Sequence, residues 1–400
     1  MKDLLPYAKE RALEDTFAKG LQPMRLFTLF LPVWQVEVRA TTVEGRPYDL
    51  IDRYLERGIA DGGLRTAAEL AGFFALDPVL VDRALRFLHR LGHLTQAADG
   101  TLGLTKLGQD SHRDQKRYVV TREDRRTLYF DAYSCQPLSR RYYDPGLITF
   151  LTPAQIHTAG TANQDFRLLA PTNSFDPEAL TRLARLSERH HFNLPDRLED
   201  VRSQPATCVY LPIFLVRAMN KGGTTRLLAY SQAADTEDAE LSDLCQRTPQ
   251  ITGTLANEDS SEQEQRKRIE EWLGKFKLQS HRPARFPYEA WRVVLPVSAF
   301  EPDGPFPLAR LGSFTALKTT VVRVWCEDRT LRERALIERV DAYLQSRERS
   351  GEEAAALVAR VGTQLGFDAI DLPRIRALAS AAGRVKLVSR VDHLLPGNVR

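Results

Sequence analysis

Four residues between positions 83 and 90 carry side chains that suit contact with nucleic acid. Arg83, Arg86, His89 and Arg90 follow one another at intervals that an α-helix places on one side. Arginine can make bidentate contacts with a guanine edge or a phosphate in the major groove of DNA. The four residues are therefore candidates for direct DNA contact. The alternative is that they are solvated charges on a module that docks on another protein, and residues 46–91 as a whole are neutral, with seven arginines and seven acids.

A basic segment follows at residues 106–141. It holds nine bases and five acids, a net charge of +4 that equals the excess of the whole chain. Tyr118, Tyr129, Tyr142 and Tyr143 are interleaved with the bases, and tyrosine can bond a phosphate or stack on an unpaired base. The segment predicts a phosphate track, and the alternative is a solvated loop with its tyrosines in the core. The candidate DNA-binding residues here are Lys106, Lys116, Arg117, Arg125, Arg126, Arg140 and Arg141.

Sequence motifs for catalysis are missing. The chain has no GxxxxGK[ST], GxGxxG, GxSxG or HExxH, nor the paired HxK of phospholipase-D-like nucleases. His190 and His191 are adjacent, so on a helix they would point about 100° apart, and we interpret them as a surface pair. The sequence therefore predicts no catalytic residue, no metal site and no cofactor.

An acidic stretch lies at residues 235–264, where nine acids face Arg247 alone. It lacks the Asp-x-Asp-x-Asp-Gly order of a calcium loop. A loop that docks a partner or mimics DNA is an alternative, but the favoured interpretation is a solvated, flexible loop over residues 233–263. The acids are Asp235, Glu237, Asp238, Glu240, Asp243, Glu258, Asp259, Glu262 and Glu264.

The elements that would position the first group of arginines are three short helices and a hairpin. Helices are predicted at 48–57, closed by Gly58, at 67–74, opened by a Thr66/Glu69 capping box, and at 78–91, opened by Asp77-Pro78. Val81, Ala84, Leu85, Leu88 and Leu91 would face inward from the third helix. Residues 94–96 and 101–104 would then pair around a two-residue Asp99-Gly100 turn.

This order of elements resembles a winged helix-turn-helix DNA-binding domain over residues 47–108. The stretch Leu104-Thr-Lys-Leu-Gly108 is similar to the L-T-x-x-G that follows the wing in many bacterial winged-helix proteins. The resemblance implies that the third helix enters the major groove. The layout of a strand, a winged helix and a basic hairpin region also loosely resembles accessory proteins of bacterial anti-phage defence systems, and the remainder of the chain resembles no family.

The rest of the sequence predicts hairpin-linked strands followed by grouped helices, which is typical of an α+β fold. Thr207–Ala218 and Thr224–Gln232 form one such hairpin, and a final strand is predicted over Arg384–Ser389. Four consecutive domains are expected: an N-terminal arm and strand at 1–46, a winged-helix domain with a basic hairpin segment at 47–145, an α+β middle domain at 146–330, and a C-terminal helical region at 331–400.

Composition limits the class of protein. The 400 residues are 43% hydrophobic and 27% charged with a formal net charge of +4, which excludes a disordered polyanion and a histone-like tail. Cys135, Cys208, Cys245 and Cys326 are too scattered for a disulfide framework or a zinc site. No apolar stretch approaches the ~20 residues of a membrane span, and the first residues carry no signal sequence. We expect a cytoplasmic protein without membrane contact.

Three hypotheses follow. The first is a non-catalytic DNA-binding or DNA-sensing subunit of a bacterial multi-protein system, with double-stranded DNA and protein subunits as partners. The second is an assembly subunit whose winged helix docks on another protein and touches no nucleic acid. The third is an unrecognised or degenerate nuclease.

Overall fold

The computed structural model describes residues 4–158, 166–195, 197–258, 261–347 and 349–395 of a mixed α+β chain. It divides into two compact units. Unit 1 comprises Met1–Leu31, Thr149–Ala170 and Tyr210–Arg400, and unit 2 comprises Pro32–Ile148 and Pro171–Val209. Strand β1 (Gln22–Arg46) is a single strand that contributes residues to both units.

This division differs from the four consecutive domains that the sequence predicts. The reason is long-range pairing: β6 (Arg197–Ser203) returns to pair antiparallel with β1, with Val38 opposite Ser203. Helix α7 (Glu178–Arg185) likewise buries Leu180 and Leu183 in a core with Val36 and residues of β4 (Arg117–Asp131). Residues 171–209 therefore belong with the N-terminal part of the chain, although they follow it at a distance in sequence.

Unit 1 is built on strands with helices packed against them. The first part of β1 pairs antiparallel with β12 (Thr320–Trp325) and parallel with β5 (Arg167–Leu168). Strand β12 also pairs with β10 (Trp291–Val294) and with β11 (Phe314–Leu317). Strands β7 (Thr207–Met219) and β8 (Thr225–Tyr230) form the predicted hairpin. Two hydrophobic cores lie on these strands. The remaining elements are α1 (Lys9–Ala18), α6 (Pro153–Thr158), α8 (Ala239–Arg247), α9 (Pro249–Asn257), α10 (Glu262–Lys275), β9 (Pro283–Arg285), α11 (Arg329–Ser346), α12 (Gly351–Gln364), α13 (Leu372–Ala381) and α14 (Val385–Leu394).

The flexible loop predicted at 233–263 is wrong. Asp238 opens α8 by accepting a hydrogen bond from the Leu241 amide, and Ser261 and Glu264 form a capping box that opens α10. Between these caps Cys245 and Ile251 are fully buried. Several of the acids thus stabilise helix N-termini, where negative charge is favourable. Asp259 lies outside the described residues.

The predicted final strand at 384–389 is also wrong, because this stretch is the start of α14. Its apolar residues alternate as in a strand, but Leu387 and Val391 are four residues apart, and both are buried in the core of unit 1. The helical spacing of Leu387 and Val391, which lies partly beyond the predicted strand, therefore makes this stretch a helix.

Two hydrophobic cores lie among the described residues of unit 2. One lies where the second part of β1 pairs with β4 and β6 and packs against α7. The other is enclosed by three helices and a hairpin, with Leu55, Leu70, Val81 and Leu88 at its centre, and a fourth helix packs against the first of these helices and the hairpin. These elements are α2 (Leu50–Ala60), α3 (Ala67–Phe74), α4 (Pro78–Arg90), β2 (Leu94–Gln96), β3 (Leu102–Leu104) and α5 (Lys106–Asp114).

Local sequence signals account for most of these boundaries. The Thr66/Glu69 capping box and the Asp77 cap with Pro78 in the first turn are present as predicted. Gly58 does not close α2, which continues to Ala60. A Cβ at Gly58 would lie 2.9 Å from the side chains of Leu70 and Phe74, so this glycine allows α2 and α3 to pack closely. Leu50 and Tyr54 of α2 are exposed, although helical spacing places them on the same face as the buried Leu55.

The hairpin is present, but its turn is longer than the two residues predicted. The Ala97 amide donates to the Thr101 carbonyl at 2.9 Å, and Gly100 adopts a left-handed φ of +87°. The Asp99 carboxylate accepts from the Thr101 amide at 3.0 Å. Asp99 and Gly100 thus have the turn roles expected of them within a wider loop.

The stretch Thr105–Gly108 joins the hairpin to α5 by close backbone contact. The Thr105 hydroxyl donates to the Gly92 carbonyl at 2.6 Å and accepts from the Gly108 amide at 3.1 Å, which caps α5. A Cβ on Gly108 would lie 2.3 Å from the His93 carbonyl oxygen, a backbone atom that already accepts from the Thr105 amide. Only glycine therefore fits at position 108.

We expect Gly108→Ala to destabilise unit 2 by about 1–3 kcal/mol, because α5 must move away from residues 92–93. Hydrogen exchange of the α5 amides in the full chain measures this. Gly72→Ala is the matched control: it also lies within a helix, but its Cβ meets nothing within 4 Å. That control should stabilise by about 0.5–1 kcal/mol. Equal effects of the two substitutions would contradict the proposed contact.

Candidate nucleic-acid interface

The predicted contact residues on α4 share an exposed face. Arg83, Arg86, His89 and Arg90 are all exposed, whereas Val81, Leu85 and Leu88 on the other face are buried. Helix α4 thus separates charge from core as its periodicity predicts. Ala84 and Leu91, predicted to face inward, are only partly buried.

This face borders an open cleft of about 680 Å³ between α4 and the hairpin. The hairpin contributes Gln96, Gly100 and Leu102 to the lining, and Ala67 comes from α3. The four α4 residues and Asp82 form the remaining polar wall. The cleft therefore has a cationic helix on one side and the hairpin, with Gln96 beside Leu94 and Leu102, on the other, and the contribution of the hairpin was not predicted.

The exposed side chains of α4 differ in their ion pairs and hydrogen bonds to neighbouring residues. Arg86 pairs with Asp82 at 2.8 Å, an exposed pair one helical turn apart. His89 Nδ1 lies 3.1 Å from the Leu94 carbonyl oxygen, which ties the end of α4 to the start of β2. Within the part of the chain that the structure describes, Arg83 and Arg90 have no ion-pair partner. Their guanidinium groups are therefore available to an external anion.

Two residues of the predicted phosphate track are engaged inside unit 2. Arg117 pairs with Asp49 at 2.8 Å and Asp52 at 3.2 Å, and its guanidinium lies 5.4 Å from the centre of the Phe87 ring. This side chain is only 16% exposed and joins β4 to α2 and α4. Its cationic charge is balanced by the two carboxylates rather than offered to solvent.

Arg126 is held in the same way. It pairs with Asp124 at 2.7 Å and with Glu44, and it donates to the Asn193 carbonyl. Although burial opposes the charged form, the hydrogen bonds and charges of Asp124 and Glu44 raise the Arg126 pKa above its usual range. The net charge of residues 106–141 thus overstates the positive charge that this segment exposes to solvent.

The other predicted residues of the segment lie at the surface in three places. Lys106 begins α5, Lys116 lies between α5 and β4, and Arg125 is on the exposed face of β4. Arg140 and Arg141 are exposed in a short 3₁₀ helix, where Arg141 lies over the Tyr142 ring. The tyrosines are not displayed for stacking: Tyr118 and Tyr142 are buried, and the half-buried rings of Tyr129 and Tyr143 pack against each other, 5.1 Å between centroids.

A buried ion pair between His93 and Glu56 lies next to the start of the hairpin. His93 precedes β2, and its Nδ1 lies 2.6 Å from Glu56 Oε1, with both side chains fully buried. His93 Nε2 faces the Tyr118 carbonyl oxygen, and Glu56 Oε2 accepts from the Tyr48 hydroxyl at 2.5 Å. Since both ring nitrogens face acceptors, the imidazolium form satisfies both bonds.

The pKa of His93 follows from these contacts. Burial is the largest single influence and lowers it, but the hydrogen bonds from Glu56 and the Tyr118 carbonyl, together with the Glu56 charge, raise it above its ordinary value. Protonated His93 and Glu56 thus form a buried ion pair at the junction of α2, the hairpin and β4.

Features of other functional classes are absent from the described residues. No three or more His, Cys, Asp or Glu side chains lie close enough to hold a metal ion within those ranges. The rings of His190 and His191 pack together, 4.1 Å between centroids. No helix in the described part of the chain is long and apolar enough to cross a membrane.

Comparison with known proteins adds no relative. No family model, no curated protein and no solved structure matches the chain.

Proposed function

We propose that the chain binds double-stranded DNA as a non-catalytic subunit, through a winged helix-turn-helix formed by residues 47–108. The observation that carries the proposal is the exposed Arg83–Arg86–Arg90 face of α4 beside an open cleft bordered by the hairpin. A helix of this kind is the element that enters the major groove, and a hairpin beside it reaches the adjacent backbone. Arg117 and Arg126 are excluded from the proposed interface because carboxylates hold them.

The direct test is the affinity of the full chain for a 20-base-pair duplex across a salt series. Binding through phosphates and groove edges should weaken steeply as salt rises, since each neutralised phosphate contributes about −0.9 to the slope of log K against log salt. Single-stranded DNA of the same length is the comparison and should bind more weakly. A duplex affinity that cannot be measured at low salt would overturn the proposal.

A second candidate function, docking on a protein partner, is favoured by exposed apolar side chains on α2, α3 and α4. Leu50 and Phe73 are 70% and 69% exposed, and Val79 is also exposed. Phe73 packs edge-on against Phe74, which in turn lies 6.0 Å from Tyr54. The exposed Phe73 and Tyr54 rings are thus linked through Phe74, and contiguous exposed apolar side chains are typical of protein-contact surfaces.

For that function we expect a photo-crosslinking residue at position 73 to yield one discrete protein adduct in cells. Val385 is the control position, because it is 77% exposed but lies in unit 1. Adducts at neither position, or the same adducts at both, would count against docking through this surface.

A further inference from the structure

Three arginines from three different strands meet on the exposed face of the sheet in unit 2. In the antiparallel pairing of β1 with β4, Arg39 is directly opposite Arg125, and in the pairing of β1 with β6 it is directly opposite Arg202. Strand β1 lies between the other two, so Arg125, Arg39 and Arg202 form one row across the sheet. We call this the arginine row.

The row faces away from the core. Val38 and Ala40, on either side of Arg39, are buried, and the side chains of all three arginines are exposed. Directly opposite residues in a sheet point to the same face. Neighbouring strands are about 4.8 Å apart, so three Cα atoms in such a row span roughly 10 Å.

Like charges in directly opposite positions destabilise a sheet. Within the part of the chain that the structure describes, none of the three arginines has an ion-pair partner to offset this. The Gln204 amide, oriented to satisfy both neighbours, accepts from Arg39 Nη2 at 3.2 Å and donates to Glu37 Oε2 at 3.3 Å. Arg39 is thus oriented by a neutral amide, which also bonds the Glu37 carboxylate, and not by a direct ion pair among the described residues.

We propose that the arginine row binds the phosphodiester backbone of DNA, as a second contact surface of unit 2. A span of about 10 Å covers roughly three steps between phosphates of one strand, at 3.4 Å of helix axis each. Guanidinium groups suit phosphate because they donate two parallel hydrogen bonds to its oxygens. This inference rests on the proposed DNA-binding function and adds Arg39 and Arg202, which the charge distribution along the chain does not single out.

The experiment compares four proteins on the same 20-base-pair duplex across salt. They are the wild type, R39A/R125A/R202A, R83A/R86A/R90A, and R329A/R334A/R360A as a control that removes three exposed arginines from unit 1. We expect the arginine-row variant to lose at least about tenfold in affinity at low salt. Its salt slope should become less steep by up to about 3, and the control should match the wild type.

Two further measurements separate binding from folding. R39K/R125K/R202K keeps the charges and should retain the salt slope, with a smaller loss of affinity because lysine cannot donate in parallel. The melting temperature of R39A/R125A/R202A should equal or exceed that of the wild type, because repulsion across the strands is removed.

The outcomes distinguish the two proposals. Absence of duplex binding by the wild type overturns the DNA-binding function and the arginine row with it. Normal binding by R39A/R125A/R202A, together with loss in R83A/R86A/R90A, overturns the arginine row alone. Loss in the arginine-row variant with normal binding by the α4 variant supports the row and overturns the contact through α4.

Discussion

Replacing Arg83, Arg86 and Arg90 with alanine should lower the affinity for duplex DNA at least about 100-fold at moderate salt. Each good bidentate contact of an arginine with a base edge contributes about 1–3 kcal/mol, so losing three removes most of the specific binding energy. The substitutions should leave the fold intact, because all three side chains are exposed and, among the residues that the structure describes, only Arg86 has an ion pair, with exposed Asp82. Electrophoretic mobility shift with a labelled duplex measures the change.

The salt dependence reports what the arginines touch. If they bind phosphates, the slope of log K against log salt should become less steep by about 0.9 per arginine. If they bind base edges, the slope should change little while the affinity still falls. Unchanged affinity and unchanged slope would show that α4 does not contact DNA and would favour the protein-docking alternative.

Removing the His93 side chain should produce the largest loss of stability. His93→Ala leaves Glu56 buried without its cationic partner, and breaking a buried ion pair by removing one member costs about 3–5 kcal/mol. The loss should be concentrated in unit 2, because His93 bridges α2, the start of β2 and the Tyr118 carbonyl of β4. Hydrogen exchange of the full chain measures this, with the amides of β12 in unit 1 as internal reference.

His89→Ala is the matched control, since it removes an exposed histidine whose side chain has one hydrogen bond, to the Leu94 carbonyl five positions away. It should cost no more than about 1 kcal/mol. Equal protection of α5 amides in the two variants would contradict the structural role of the buried pair.

The same pair predicts how stability depends on pH. The folded pKa of His93 is raised, so the folded state binds its proton more tightly than the unfolded state does. Its stabilising contribution is therefore complete below the ordinary histidine pKa of about 6.5 and is lost as pH rises through the folded value. Glu56→Gln removes the carboxylate charge and should flatten this decline above about pH 6.5. An equally steep decline in that variant would assign the pH dependence to another group.

The local signals in the sequence account for unit 2 better than for the whole chain. Thr66, Asp77 and Pro78 specify helix starts through contacts within a few residues, so their roles follow directly from residue type and spacing. The return of β6 to β1 depends on pairing between residues far apart in sequence, which no local pattern contains. For the same reason the two discontinuous units could not be deduced from composition.

The candidate site shows the same limit. The exposed face of α4 was predictable, because helical periodicity alone places Arg83 and Arg90 opposite Leu85 and Leu88. That Arg117 and Arg126 are held in ion pairs within unit 2 was not predictable, because their partners Asp52 and Glu44 lie far away in sequence. The alignment of Arg125 with Arg39 and Arg202 likewise required the strand register.

The discontinuous division of the chain sets an order of completion during synthesis. Unit 2 contains no residue beyond Val209, so all of its strands and helices are available once that residue has left the ribosome. Unit 1 also begins early, with α1 and the first part of β1, but its core includes Leu387 and Val391 of α14. The nascent chain can therefore fold the proposed DNA-binding unit before synthesis of the residues of β7, β8, β11 and β12 that pack against the apolar face of α1.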